Sequence, residues 1–178
     1  MAVQIQPTGK EVYFPAGELI VSKTDLKGRI TYANRTFCHI AGYAENELLG
    51  QPHSIIRHPD MPRAVFRLVW DTIAAGREIF GYVKNMARSG DHYWVFAHVT
   101  PSFDDAGNIV AYHSNRRDPD RGIIENAIAP LYAEVLRVEQ SHANGKQAVE
   151  AGYKALVDFV TSQKVSYDEL MFALKSAA

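Results

Sequence analysis

Ile79-Phe80-Gly81-Tyr82-Val83-Lys84-Asn85-Met86, followed by Arg88-Ser89-Gly90-Asp91 and then His92-Tyr93-Trp94-Val95-Phe96-Ala97-His98-Val99-Thr100-Pro101-Ser102, is the run that decides the fold. Apolar and polar residues alternate here with a period of two, which is the pattern of strands, and the Gly-Asp pair between them marks a turn. A second turn, Asp104-Asp105-Ala106-Gly107-Asn108, leads into a third strand from Ile109 to Asn115. In the middle strand Tyr93, Val95, Ala97 and Val99 share one face, and Trp94, Phe96 and His98 share the other. Aromatic residues on both faces imply that one face covers a helix or ligand and the other meets a partner or cap.

Upstream, Leu19 to Thr24 and Arg29 to Ala33 read as two short strands joined by Asp25-Leu26-Lys27-Gly28. Asn34 caps a short helix carrying Phe37, Ile40 and Ala41; Gly42-Tyr43 ends it, and a further turn of helix spans 44–49. Val65, Phe66, Val69, Trp70 and Ile73 have helical spacing, with Gly76 as the expected C-cap. Two strands, short helices, one longer helix and three antiparallel strands make an α+β domain, with the helices on one face of a five-stranded antiparallel sheet. After Asp118-Pro119-Asp120 the pattern turns helical again, through Ile124, Ile128, Leu131, Val135 and Val138, and then Val149, Tyr153, Leu156 and Val160. These spacings predict a C-terminal helical hairpin, with Pro130 as a kink or a new start and Ser166 capping a last short helix. The expected division is an N-terminal arm over 1–17, a sensing domain over 18–118 and a helical extension over 119–178.

The composition narrows the function. The chain has 178 residues, is 47% hydrophobic and carries a net charge of −1. No segment is apolar for long enough to span a bilayer, and no basic face marks a nucleic-acid or anionic-membrane site. Residues 1–10 contain no hydrophobic signal region, and the single cysteine, Cys38, fits a reducing cytoplasm. No His-Glu-x-x-His pair, Gly-x-Ser-x-Gly elbow or phosphate loop occurs, so neither a metal site nor an enzyme is expected.

What remains is a loop with three prolines, Gly50-Gln51-Pro52-His53-Ser54-Ile55-Ile56-Arg57-His58-Pro59-Asp60-Met61-Pro62. Proline stiffens it, and stiff loops with convergent polar groups serve ligands, although an Arg57–Asp60 surface pair is the plain alternative. Asn34, the loop from His53 to Asp60, Phe66 and Trp70 of the helix, and Asn85, Tyr93 and Trp94 of the strands are candidates to line one cavity. Arg57 offers a planar fork for phosphate or carboxylate, Asn85 a donor and acceptor side by side, and Trp70 a flat wall. Together they suit a flat heteroaromatic ligand with a charged tail.

Residues 18–117 resemble a PAS domain, specifically those of the bacterial aerotaxis receptor (Aer) family. The resemblance rests on Thr24-Asp25-Leu26, Ile30-Thr31-Tyr32-Ala33-Asn34, Gly42-Tyr43, Gly50-Gln51-Pro52-His53, Arg57-His58-Pro59-Asp60-Met61-Pro62, Val83-Lys84-Asn85 and Gly90-Asp91-His92-Tyr93-Trp94-Val95. It implies a PAS fold that binds FAD non-covalently and senses redox state or oxygen supply, with Arg57, His58, Asp60, Asn85 and Asn34 as the residues that matter for the flavin. Some members carry a tryptophan just after the glycine that ends the long helix, where this chain has Glu78-Ile79-Phe80. Light-sensing flavin relatives need a cysteine where this chain has His53, so a cysteinyl-flavin photoadduct is not expected.

The resemblance further implies a stand-alone module, since residues 119–178 contain no membrane anchor, chemoreceptor coil, kinase motif or cyclase motif. Its signal then leaves by protein contact, to a separate partner such as a chemoreceptor or kinase. The extension either folds back on the domain or pairs with a second copy, and a homodimer through the arm and the C-terminal helices is expected. Two other readings stay open. One is a haem-binding gas sensor using His58 or a strand histidine; the other is an empty dimerisation or scaffold module whose pocket is filled by side chains such as Phe80 and Tyr82.

Overall fold

The computed structural model describes residues 5–176; the first four residues of the expected N-terminal arm and the last two of the extension lie outside the described residues. Five strands form one antiparallel sheet: β1 (Ile20–Thr24), β2 (Ile30–Ala33), β3 (Ile79–Met86), β4 (His92–Phe103) and β5 (Ile109–Arg117), in the order β2-β1-β5-β4-β3. This is the PAS fold. Asn85 stands opposite Tyr93 and Ala97 opposite Arg116, and Ser22 stands opposite Ser114. Cross-strand partners share a face, so Ser22, Thr24, Tyr112, Ser114, Arg116, Ala97, Val99, Ile79, Gly81, Val83 and Asn85 point the same way.

The short helices cover that inner face: α1 (Arg35–Ala41), α2 (Glu45–Leu48), a 3₁₀ turn over His53–Ile56 and α3 (Arg63–Ala74). Asn34 caps α1, and Gly42, at φ +72°, ends it in the left-handed conformation that glycine enters without strain. The C-cap of α3 is Ala75 rather than Gly76, which follows it at φ +79°. The inner core centres on Ile20, Phe37, Leu48, Ile56, Tyr93 and Val95.

The extension folds back onto the outer face of the same sheet, one of the two arrangements expected of it. Helix α4 (Arg121–Ile123) runs through a π-helical turn, Ile124–Ile128, into α5 (Ala129–Gln140), with Pro130 directly after the π-helical turn. Asn144 caps α6 (Gly145–Ser162), and Ser166 and Glu169 cap each other at the start of α7 (Tyr167–Ser176). Tyr82 and Trp94 of the sheet are buried together with Ile128, Tyr132, Val135, Leu156 and Met171 of the extension. The N-terminal segment runs beside β4, with Thr8 and Val12 donating to the carbonyls of Gly90 and His92, and it buries Phe14 in the inner core.

Candidate functional site

Between the inner face of the sheet, α3 and the 3₁₀ turn lies a cleft with two lobes. The inner lobe encloses about 100 Å³ and the outer lobe about 300 Å³. His53, Phe66, Trp70 and Asn85 line both, so the two lobes adjoin at these residues, the neck of the cleft. Val65, Val69 and Ile73 of α3 face Val83, Ala97 and Val99 of the sheet across the inner lobe. The outer lobe is bounded by Lys27, Gly28, Ser54 and Arg57.

Trp70 reaches its place because residue 28 is glycine. A Cβ on Gly28 would come within 2.9 Å of the Trp70 ring, and the φ of +74° there is one that side chains rarely adopt. The orientation of α3 is fixed from the other side of the molecule. Its N-cap is Pro62, which supplies no side-chain cap; instead the buried Glu139 carboxylate of α5 accepts from the N–H groups of Arg63 at 3.1 Å and Ala64 at 2.7 Å. A carboxylate at a helix N-terminus satisfies the free donors and the dipole together.

The polar groups of the cleft are poorly satisfied by the protein. Asn85 is 3% exposed and Arg116 2% exposed, yet Asn85 Nδ2, Arg116 Nε and Thr24 Oγ1 have no partner. Arg116 donates to Ser22 Oγ, approaches His53 Nε2 at 3.5 Å, and stacks over the Phe37 ring at 4.6 Å. Among the described residues it has no carboxylate within ion-pair distance. Burial pushes its pKa down to about 10, which leaves it a cation at neutral pH. Burial, with the neighbouring Arg116 charge, pushes His53 down to about 3, so its ring is neutral. No aspartate or glutamate lines either lobe among the described residues, whereas Lys27, Arg57 and Arg116 do. Buried polar groups without partners are costly, and such a positive cleft favours an anionic, hydrogen-bonding ligand.

Five of the ten predicted site residues meet at this cleft: His53, Arg57, Phe66, Trp70 and Asn85. The other five do not line it. The Asn34 side chain is used by the fold, its Oδ1 accepting from Val21 and Phe37 N–H at 3.0 Å each and its Nδ2 donating to Leu19 at 2.7 Å. His58 is buried behind the loop, accepting from Asp60 N–H at 3.1 Å and meeting His92 edge-on. Asp60 pairs with Lys84 at 2.7 Å rather than with Arg57, whose guanidinium donates to the Met61 carbonyl at 2.8 Å and lies over Phe66. Tyr93 is on the inner face but sunk in the core beneath α1. Trp94, next to it on the strand, must point to the opposite face, where it stacks with Tyr132 of the extension. Phe80 does not fill the cleft, because its ring stacks on His98 at 4.1 Å on the outer face.

Sequence reasoning missed Arg116 and Thr24. A charged residue on the inward register of β5, in step with Tyr112 and Ser114, was the available signal.

A five-stranded sheet with this strand order, closing a cleft against short helices, is the PAS fold, and residues 30–116 match the sequence profile described by that name. The domain is related to that of the aerotaxis receptor of Escherichia coli, with 46% identity over 114 residues, covering 64% of this chain and 22% of the receptor. A nitrogen fixation regulatory protein of Klebsiella pneumoniae is 33% identical over 98 residues, covering 55% of this chain and 20% of its own length. The chain thus spans about a fifth of the length of these relatives. Among solved structures, the light-state aureochrome 1 LOV domain superposes with a TM-score of 0.53 at 26% identity, covering 69% of this chain and 91% of that one. A light-oxygen-voltage domain studied with a flavin analogue has a TM-score of 0.58 at 19% identity, covering 66% and 89%, which shows the shared fold. No helix among the described residues is long and apolar enough to cross a membrane.

Proposed function

We propose that residues 18–118 bind FAD in the two-lobed cleft and sense redox or energy state, passing the signal on by protein contact. The observation that carries this reading is the pattern of unpartnered polar groups on an otherwise apolar inner lobe, which adjoins a cationic outer lobe. A flat heteroaromatic ring with an anionic tail matches both ends of that cleft. The names of the related aerotaxis receptor and of the flavin-analogue structure point the same way.

On this reading Asn85 offers its amide to the ring edge, Phe66 and Trp70 cover the ring face, and Arg116 supplies a fixed positive charge in a dry site. Arg57 and Lys27 hold the anionic tail at the outer lobe. His53, neutral and wedged between Phe37, Ser22 and Arg116, holds Arg116 in place and keeps water from the neck. The cofactor itself supplies reversible electron uptake coupled to a change in ring charge and protonation. Asn85 and Arg116 are the groups that answer such a change, since a bound state signals only by favouring one protein arrangement over another. Readout in the cytoplasm by a second copy of the chain, a chemoreceptor or a kinase belongs to the same proposal.

An absorbance spectrum of freshly purified protein, with identification of any acid-released cofactor, tests the reading. Two visible flavin bands and released FAD are expected. A single sharp Soret band shifts the assignment to haem, and a colourless protein that takes up no added FAD shifts it to an empty module.

A further inference from the structure

One wall of the inner lobe comes from outside the matched PAS segment. Tyr167, the first residue of α7, lines the lobe beside Ile79 and Gly81, whereas the match to the PAS profile ends at residue 116. The ring fits there because β3 has a glycine at this point: a Cβ on Gly81 would come within 3.1 Å of Tyr167 Oη. The Tyr167 hydroxyl lies 3.4 Å from that of Tyr132, which in turn donates to the Tyr82 carbonyl at 2.7 Å. Burial holds both hydroxyls in the neutral form, Tyr167 at about 12 and Tyr132 well above its usual value. The next residue, Asp168, accepts from the Phe80 N–H at 2.9 Å. Two consecutive residues of α7 therefore meet β3, one inside the cleft and one along the strand edge.

We propose that Tyr167 is a ligand-contacting residue of the inner lobe, so that the group bound in the cleft and the docking of α7 on β3 stabilise each other. The proposal rests on the flavin reading. The ring of a bound flavin would pack against Tyr167 and hold it in the Gly81 notch. Linkage then requires that occupancy strengthen α7 docking by the factor by which α7 docking strengthens binding. The C-terminal extension thereby carries information about whether, and with what, the cleft is filled.

The test uses the full chain. FAD is titrated into the apoprotein for the parent, Tyr167→Phe, Tyr167→Leu and Tyr167→Ala, and hydrogen exchange across α7 is followed with and without FAD. Tyr167→Phe should bind within a few-fold of the parent, because the ring is kept. Tyr167→Leu and Tyr167→Ala should bind about tenfold more weakly, the scale of one lost aromatic contact. FAD should slow exchange across α7 in the parent and in Tyr167→Phe, and by much less in the other two. A merely structural tyrosine gives a different result: lower melting temperatures for the empty Leu and Ala variants with unchanged FAD affinity of the folded protein, and that overturns the proposal. So does exchange in α7 that is the same with and without FAD in the parent. If Tyr167→Ala does not fold, Tyr167→Leu, which keeps apolar bulk, decides alone. A parent that binds no FAD overturns the flavin reading itself, a result distinct from a parent that binds FAD with a silent α7.

Discussion

Arg57 and Asn85 face each other across an isolated antiparallel backbone bridge, which fastens the proline loop to β3 beside the neck of the cleft. The loop is therefore positioned by the residue whose unpartnered amide faces the cavity. Arg57→Ala should lower the FAD-to-protein ratio of purified protein, with Arg57→Lys intermediate because a point charge replaces a planar fork. Asn85→Ala should lower it as well. His58→Ala should also reduce occupancy, by loosening the Asp60 turn behind the loop rather than by losing a contact to the cofactor. Unchanged occupancy in all of these variants would remove the cleft as the binding site.

Gly28→Ala should weaken FAD binding although residue 28 lies in the turn between β1 and β2 and lines only the outer lobe. The new Cβ strains a φ of +74° and pushes at the Trp70 ring from 2.9 Å, which displaces the wall shared by the two lobes. Flavin fluorescence titration of the folded variant measures the loss.

Glu139→Ala removes the acceptor for two N–H groups at the start of α3. A cost of about 2–3 kcal/mol is expected for losing a charged cap in a buried place. For a chain of this size that is a fall in Tm of roughly 4–12 °C by thermal denaturation.

Gly152→Ala sets two effects against each other. Alanine in a helix gains about 1 kcal/mol over glycine, but here its Cβ would come within 2.6 Å of Glu139 Cγ. Glu139 is pinned by its two hydrogen bonds and retreats poorly, so overpacking of about 1–3 kcal/mol should win and the variant should melt lower. A rise in Tm would show that Glu139 moves freely.

Stability should fall with pH below neutrality before the carboxylates titrate. His53 and His58 are held down to about 3 and about 4, first by burial and then by Arg116 and Lys84 respectively. The unfolded chain takes up protons near pH 6.5 that the folded chain refuses. Their stabilisation is thus complete above pH 6.5 and is lost as pH falls toward the folded values. Urea midpoints between pH 6.5 and 5 should decline, and His53→Gln should flatten the slope by up to about 1.4 kcal/mol per pH unit.

Strand alternation made the sheet legible: the bounds read for β3 are those observed, and the two faces of β4 separate as the pattern implies. The helical spacing of the extension was equally legible, although only packing could decide that it covers its own sheet. The site was half legible. Arg57, Phe66, Trp70 and Asn85 are recognisable because their chemistry is conspicuous on loop, helix and strand. Asn34 misled because an amide that caps a helix and one that meets a ligand look identical in sequence. Trp94 lies on the face opposite Tyr93, as the strand alternation itself implies, and meets the extension instead of the cleft. Tyr167 was out of reach, since its place depends on a glycine far earlier in the chain.

From Phe80 to Lys84, short of the Arg57–Asn85 bridge, the free edge of β3 meets side chains instead of backbone: Phe80 N–H meets Asp168, the Tyr82 carbonyl meets Tyr132, and Lys84 N–H meets Met61 Sδ. Two of these three come from the extension. A version of the chain cut before residue 132 would expose an unpaired Phe-Gly-Tyr-Val edge, the kind of template on which other chains add as strands. Precipitation or strand-swapped pairing of such a truncation would then report a naked edge, and would say nothing about the cofactor or its signal.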